Sequence, residues 1–153
     1  MPGILKLVAI DAEDMQIISA CLQDAVASVG DTAWLPKRHR FAVLFNRFRW
    51  ENETSTGLGL KLGLRRHERV RCAVHFDGVL KVRTLGLTRT NPEQLLDLLS
   101  IHVTEDAAAT FQIRLVFAGG AEIQLDAECI DCYLEDLTQP WPAIRRPAHP
   151  LED

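Results

Sequence analysis

Six arginines, Arg47, Arg49, Arg65, Arg66, Arg69 and Arg71, crowd one short segment of the chain, and the first two are interleaved with Phe48 and Trp50. A guanidinium fork binds phosphate or carboxylate in bidentate fashion, and an aromatic face stacks on a base. Residues of these types on adjoining strands would make an anion site for RNA, a nucleotide or an acidic protein segment. The wider charge pattern points the same way. From Lys37 to Arg71 ten bases face three acids (Glu51, Glu53 and Glu68), a net of +7, whereas the whole chain carries −4. The remainder is therefore at −11, and the two parts can equally neutralise each other through cross-strand pairs. No RNA-recognition, KH or double-stranded-RNA signature accompanies the arginines.

Other chemistry finds little support. Cys129 and Cys132 form a lone CxxC, and neither Cys21, Cys72 nor any histidine stands at ligand spacing from it. Zinc sites need a second pair, so no metal site is expected. The five histidines (His39, His67, His75, His102 and His149) are scattered, and no serine or cysteine occupies a nucleophile elbow. Asp126, Glu128 and Asp131 fall where a solvated strand face is the ordinary reading. Gly57, Gly59 and Gly63 alternate with leucines but are followed by no Lys-Ser/Thr of a phosphate loop. No catalytic residue and no cofactor is implied, and an enzyme is not the expected class.

The elements that would position the arginines follow from periodicity. Residues 38–51 (RHRFAVLFNRFRWE) carry the strongest strand pattern, with Phe41, Val43 and Phe45 on one face. At Asn46 the phase changes, so that Arg47 falls on the face of Phe45 while Phe48 and Trp50 fall on the other. A one-residue bulge there would bury both aromatic sets. Residues 3–10 read as a central strand. Asp11 then caps a helix to about Gln23 with Ile17, Ile18, Cys21, Leu22 and Ala25 as its apolar stripe. Residues 24–35 read as a broken strand ended by Pro36, and residues 51–64 as a polar loop running into a glycine-weakened edge strand or flap. Residues 67–76 and 79–87 read as a hairpin turning at Asp77-Gly78. Asn91-Pro92-Glu93-Gln94 has the form of a capping box opening a second short helix through Leu95, Leu96, Leu98 and Leu99. Residues 109–118 and 121–129 form a hairpin about Gly119-Gly120, residues 130–137 a last strand or short helix, and residues 138–153, with four prolines, an extended tail.

Gly3-Ile4-Leu5-Lys6-Leu7 parallels Gly78-Val79-Leu80-Lys81-Val82, the stripe Ile17, Ile18, Cys21 parallels Leu95, Leu96, Leu99, and Phe41, Val43, Phe45 parallels Phe111, Ile113, Leu115. The expected fold is therefore α+β, a largely antiparallel sheet with two helices, built by duplication of a βαβββ unit. Its repeats would be residues 3–77 and 78–137 of one domain spanning 1–137. A β-barrel or sandwich of PH-like type is the alternative.

The bulk composition fits a globular protein, at 47% hydrophobic and 25% charged residues. No apolar run is long enough for a transmembrane helix and no signal peptide is evident, which points to the cytoplasm and no membrane partner. Two functions remain. One is a non-enzymatic protein-interaction module using a sheet face or edge, with a protein partner or a second copy as a homodimer. The other is an anion-, nucleotide- or RNA-binding protein using the arginine and aromatic face.

Phe45-Asn46-Arg47-Phe48-Arg49-Trp50-Glu51, preceded by Asp31-Thr32-Ala33-Trp34-Leu35-Pro36, resembles the signature of a bacterial family known as domain of unknown function 2948. Leu115-Val116-Phe117-Ala118-Gly119-Gly120 and Glu128-Cys129-Ile130 fit it too. The resemblance spans about residues 3–137. It implies a single-domain cytoplasmic protein of alphaproteobacterial type and carries no catalytic or binding residue with it.

Overall fold

The computed structural model describes residues 5–48, 68–88, 90–137 and 141–142. Eleven strands and one α-helix organise them: β1 (Lys6–Ala9), α1 (Ala12–Cys21), β2 (Val26–Ser28), β3 (Thr32–Leu35), β4 (Arg40–Phe48), β5 (Glu68–Asp77), β6 (Val79–Leu85), β7 (Leu95–Glu105), β8 (Phe111–Phe117), β9 (Glu122–Ala127), β10 (Cys132–Asp136) and β11 (Trp141–Pro142). Every pairing is antiparallel. The strands form one open sheet in the order β1-β10-β5-β4-β2-β7-β8-β9-β6, with β3 beside β4 and β11 beside β5.

This architecture corrects the expectation of an α+β fold with two helices and a duplicated βαβββ unit. Among the described residues there is one α-helix, and the stretch expected to match it in the second half is a strand. The alternative of a PH-like barrel fails as well, because the sheet stays open at β1 and β6. The expected second helix is a strand for a physical reason. Leu95, Leu96, Leu98 and Leu99 fit either period, and the run is too short for length to decide. Burial alternates instead: Leu96 and Leu98 face the core while Leu95, Asp97 and Leu99 face out. The residues that looked like a capping box build the turn into β7. The Gln94 side chain accepts a hydrogen bond from Thr88 N (2.6 Å) and donates one to Gly86 O (3.0 Å).

The Asp77-Gly78 hairpin is corrected too. β5 pairs with β4 and β10, whereas β6 pairs with β9, so the chain turns a corner at Gly78 and passes between two parts of the sheet. Gly78 sits at φ +75°, and a Cβ there would stand 2.5 Å from Cys129 Sγ. A backbone of this hand with a neighbour that close admits only glycine. The corner is strapped by Asp77 N–H to Asp131 O (2.8 Å) and Glu128 N–H to Gly78 O (2.9 Å). At the other predicted turn, Gly119 and Gly120 do join paired strands, β8 and β9. β1 is an edge strand paired with β10 alone among the described residues, not the central strand expected.

The curled sheet encloses one core. Residues from both ends of the strand order share it, including Ala9 and Leu134 on one side and Val79 and Leu125 on the other. α1 packs on β1 and β7 with Met15, Ile18 and Leu22 buried, while Ile17, expected in the stripe, is exposed. Its N-terminus is capped as predicted, Asp11 Oδ1 accepting from Asp14 N at 2.8 Å.

Candidate functional site

The register of the arginine and aromatic strand decides where each of its side chains lies. β4 pairs with β5 without a shift, from Arg40 opposite Asp77 to Phe48 opposite Arg69. No bulge interrupts it at Asn46. The phase change seen in the sequence is real in chemistry and absent in geometry: Phe41, Val43, Phe45 and Arg47 all face inward. Arg47 has no exposed surface, and Asp136 on β10 is 6% exposed. The guanidinium engages the carboxylate with both forks, Nε to Oδ1 at 3.0 Å and Nη2 to Oδ2 at 2.8 Å, and Nη1 donates to Phe48 O at 2.9 Å. A buried charge is tolerated only when paired and hydrogen-bonded in this way. Cys72 lies beside the pair, and burial pushes its thiol up to about 12 despite the opposing Arg47 charge.

On the outer face, Arg69 lays its guanidinium over the Phe48 ring, 4.2 Å from the centroid, and is itself 7% exposed. Its charge reaches Asp97 on β7, whose carboxyl burial and Asp24 hold above the usual range while Arg69 opposes them. Arg71 is half-buried, with Nη1 donating to Asn46 Oδ1 at 3.3 Å and Nη2 standing 3.6 Å from Asp31 Oδ2. The structure thus separates the predicted arginine set. Arg69 and Arg71 share the outer face with Phe48, whereas Arg47 is turned into the core. Arg49, Trp50, Arg65 and Arg66 lie outside the described residues, as does the 51–64 segment.

A second feature was not singled out from the sequence. Among the described residues β3 pairs only with β4 and β6 only with β9, and these two free edges flank a seam in the curled sheet. The seam holds a half-open apolar slot of about 300 Å³ lined by Val29, Thr32, Trp34, Phe41, Val82 and Leu87, with Thr84. It is closed at both ends. At one, Val79 N–H donates to His39 O at 2.9 Å. At the other, Val29 N–H donates to Gln94 O (2.9 Å) and Gly30 N–H to Pro92 O (2.8 Å). His39 is at φ +53°, a left-handed position following the 3₁₀ turn Pro36–Arg38 that swings the chain from β3 into β4. The inward alternation of Thr32 and Trp34, and of Val82 and Thr84, supplies the walls. That alternation was legible; that the two strands would face each other across an opening was not.

A profile of the family described as "Protein of unknown function (DUF2948)" matches residues 5–149. The chain belongs to this family. The matched span includes both the NRF stretch of β4 and the Trp34 strand that lines the slot. No curated protein and no solved structure matches the chain. Among the described residues of this DUF2948 chain, no helix is long and apolar enough to cross a membrane, and no group of three or more His, Cys, Asp and Glu could hold a metal ion.

Proposed function

We propose that this DUF2948 protein is a non-enzymatic interaction module that docks an extended segment of another protein in the seam between β3 and β6. The observation that carries the reading is the seam itself: two free strand edges converging on an apolar slot around Trp34 and Phe41. A free edge offers backbone groups to an added strand, and a pocket beneath takes alternate side chains. Burying one branched or aromatic side chain in the slot would contribute about 1.5–3 kcal/mol. Selection from a random-peptide display library tests the proposal. The full chain should enrich a consensus that Val82→Glu loses, with thermal melting confirming that the variant folds. No enrichment, or a consensus indifferent to Val82→Glu, would overturn it.

A second reading, anion or RNA binding, draws support from Arg69 and Arg71 lying side by side with Phe48 on one face. It is the weaker reading, since Arg47 is held by Asp136 inside the core. It requires labelled RNA to shift at low salt and release steeply as salt rises.

A further inference from the structure

We infer that the seam is shaped for a partner segment in which apolar and acidic residues alternate. The inference rests on the docking reading above and names the chemistry of what docks. β6 turns Val82 and Thr84 toward the slot and Lys81 and Arg83 away from it. At the His39 end of the seam, the Pro36–Arg38 turn packs against β6 and presents exposed Lys37 and Arg38. Arg83 shares a groove with Glu105, Asp106 and Asp126, so the bases that count toward the rim are Lys37, Arg38 and Lys81. Asp126 stands opposite Lys81 in the β6–β9 register but is ion-paired to Arg83, at 2.7 Å. Asp77 is held by both forks of Arg40, at 2.7 and 3.3 Å, and Asp31 faces Arg71. Among the described residues Lys37, Arg38 and Lys81 form no ion pair. At these three residues the rim of the apolar slot is thus positive.

A strand laid along β6 alternates its side chains, one set into the slot and the next beside Lys81 and Arg83. Acids in the second set meet bases, and bases there are repelled. The same charges argue against a second copy as the occupant. Two β6 strands paired antiparallel about Val82 would set each Lys81 opposite an Arg83, like charge on like charge. Closure of the slot at His39–Val79 and Gly30–Pro92 limits the contact to a short segment, on the order of five residues of extended chain.

Three fluorescein-labelled heptapeptides test this by anisotropy against the full chain: Glu-Val-Glu-Trp-Glu-Val-Glu and the same sequence with every Glu replaced by Ser or by Lys. The acidic peptide should bind roughly tenfold tighter than the serine one, and the lysine peptide more weakly still. The advantage should fade by about 0.5 M salt. Charge reversal at two exposed positions, Lys37→Glu with Lys81→Glu, should invert the order of the acidic and basic peptides without touching the core. Equal binding of all three, still lost in Val82→Glu, would overturn the acidic preference and leave the docking reading standing. No binding by any peptide would overturn the inference, and the display selection would then decide the docking reading separately. A dimer in sedimentation that Val82→Glu dissociates would make the second copy the occupant and overturn it equally.

Discussion

Replacing Asp136 by Ala would take its carboxylate partner from the Arg47 guanidinium in the core, where Arg47 has no exposed surface. Both forks of the pair are lost, at 3.0 and 2.8 Å, and a neutral acceptor such as Phe48 O does not replace the carboxylate's charge. Breaking such a pair from one side costs about 3–5 kcal/mol. For a chain of this size each kcal/mol lowers Tm by roughly 2–4 °C, which puts the expected drop at roughly 6–20 °C. Arg47→Met should cost a similar amount by leaving the Asp136 carboxylate alone. The double variant Arg47→Met with Asp136→Leu replaces the pair with apolar side chains and should return to within about 1–2 kcal/mol of the parent. Urea unfolding at 25 °C measures all four proteins. Two outcomes refute the reasoning. If Asp136→Ala costs less than about 1 kcal/mol, the pair is not buried as a unit. If the double variant is as unstable as the two single losses added together, the two groups do not couple.

Three further outcomes follow from the packing. Gly78→Ala should destabilise by about 1–3 kcal/mol, because it forces a positive φ on alanine and sets a Cβ against Cys129 Sγ. Adding Cys129→Ala should recover only the contact part; full recovery in thermal melts would mean that the φ carries no strain. In a timed thiol assay on the native protein, exposed Cys129 should react first, while Cys72 and Cys132, both buried with their thiols raised mainly by burial, should react only on unfolding. Fast labelling of Cys72 would contradict its place beside Arg47. His75 is held below its ordinary value by burial and by Arg40, with Asp77 opposing. It stacks on Tyr133 with ring centroids 4.8 Å apart. The unfolded chain therefore takes up this proton first as pH falls, so stability is full above about 6.5 and declines below it. His75→Gln should flatten that part of the stability profile, and an unchanged profile would assign the decline elsewhere.

The sequence made some of this legible and hid the rest for identifiable reasons. Local signals with one meaning agree with the structure: the Asp11 cap, the Gly119-Gly120 turn and the alternation of Phe41, Val43 and Phe45. Signals with two meanings do not. Asp77-Gly78 marks a positive-φ glycine in a hairpin and at a corner alike, and only the partners of β5 and β6 decide between them. The leucines of residues 95–99 fit a helix or a bulged strand. β4 pairs with β5 without a shift at Asn46, and the register shifts fall between Leu98 and Ser100 in β7 and between Val79 and Lys81 in β6. At Asn46 the expected bulge rested on burying Phe48 and Trp50 together with Phe41 and Phe45, whereas the unbroken strand turns Arg47 into the core and Phe48 to the other face. Asp136, the partner of Arg47, lies 89 residues away in the chain, beyond the reach of any local pattern. The slot was hidden for a related reason, since Trp34 and Val82 become neighbours only when the sheet curls.

Chemical-shift mapping with the acidic heptapeptide tests the docking account most directly. On titration into the ¹⁵N-labelled chain, the account predicts shifts concentrated in β3, β6 and residues 86–94, with the Trp34 indole among them. Shifts confined to Arg69, Arg71, Asn46 and Phe48, with β3 and β6 unmoved, would contradict it and return the arginine face as the binding surface.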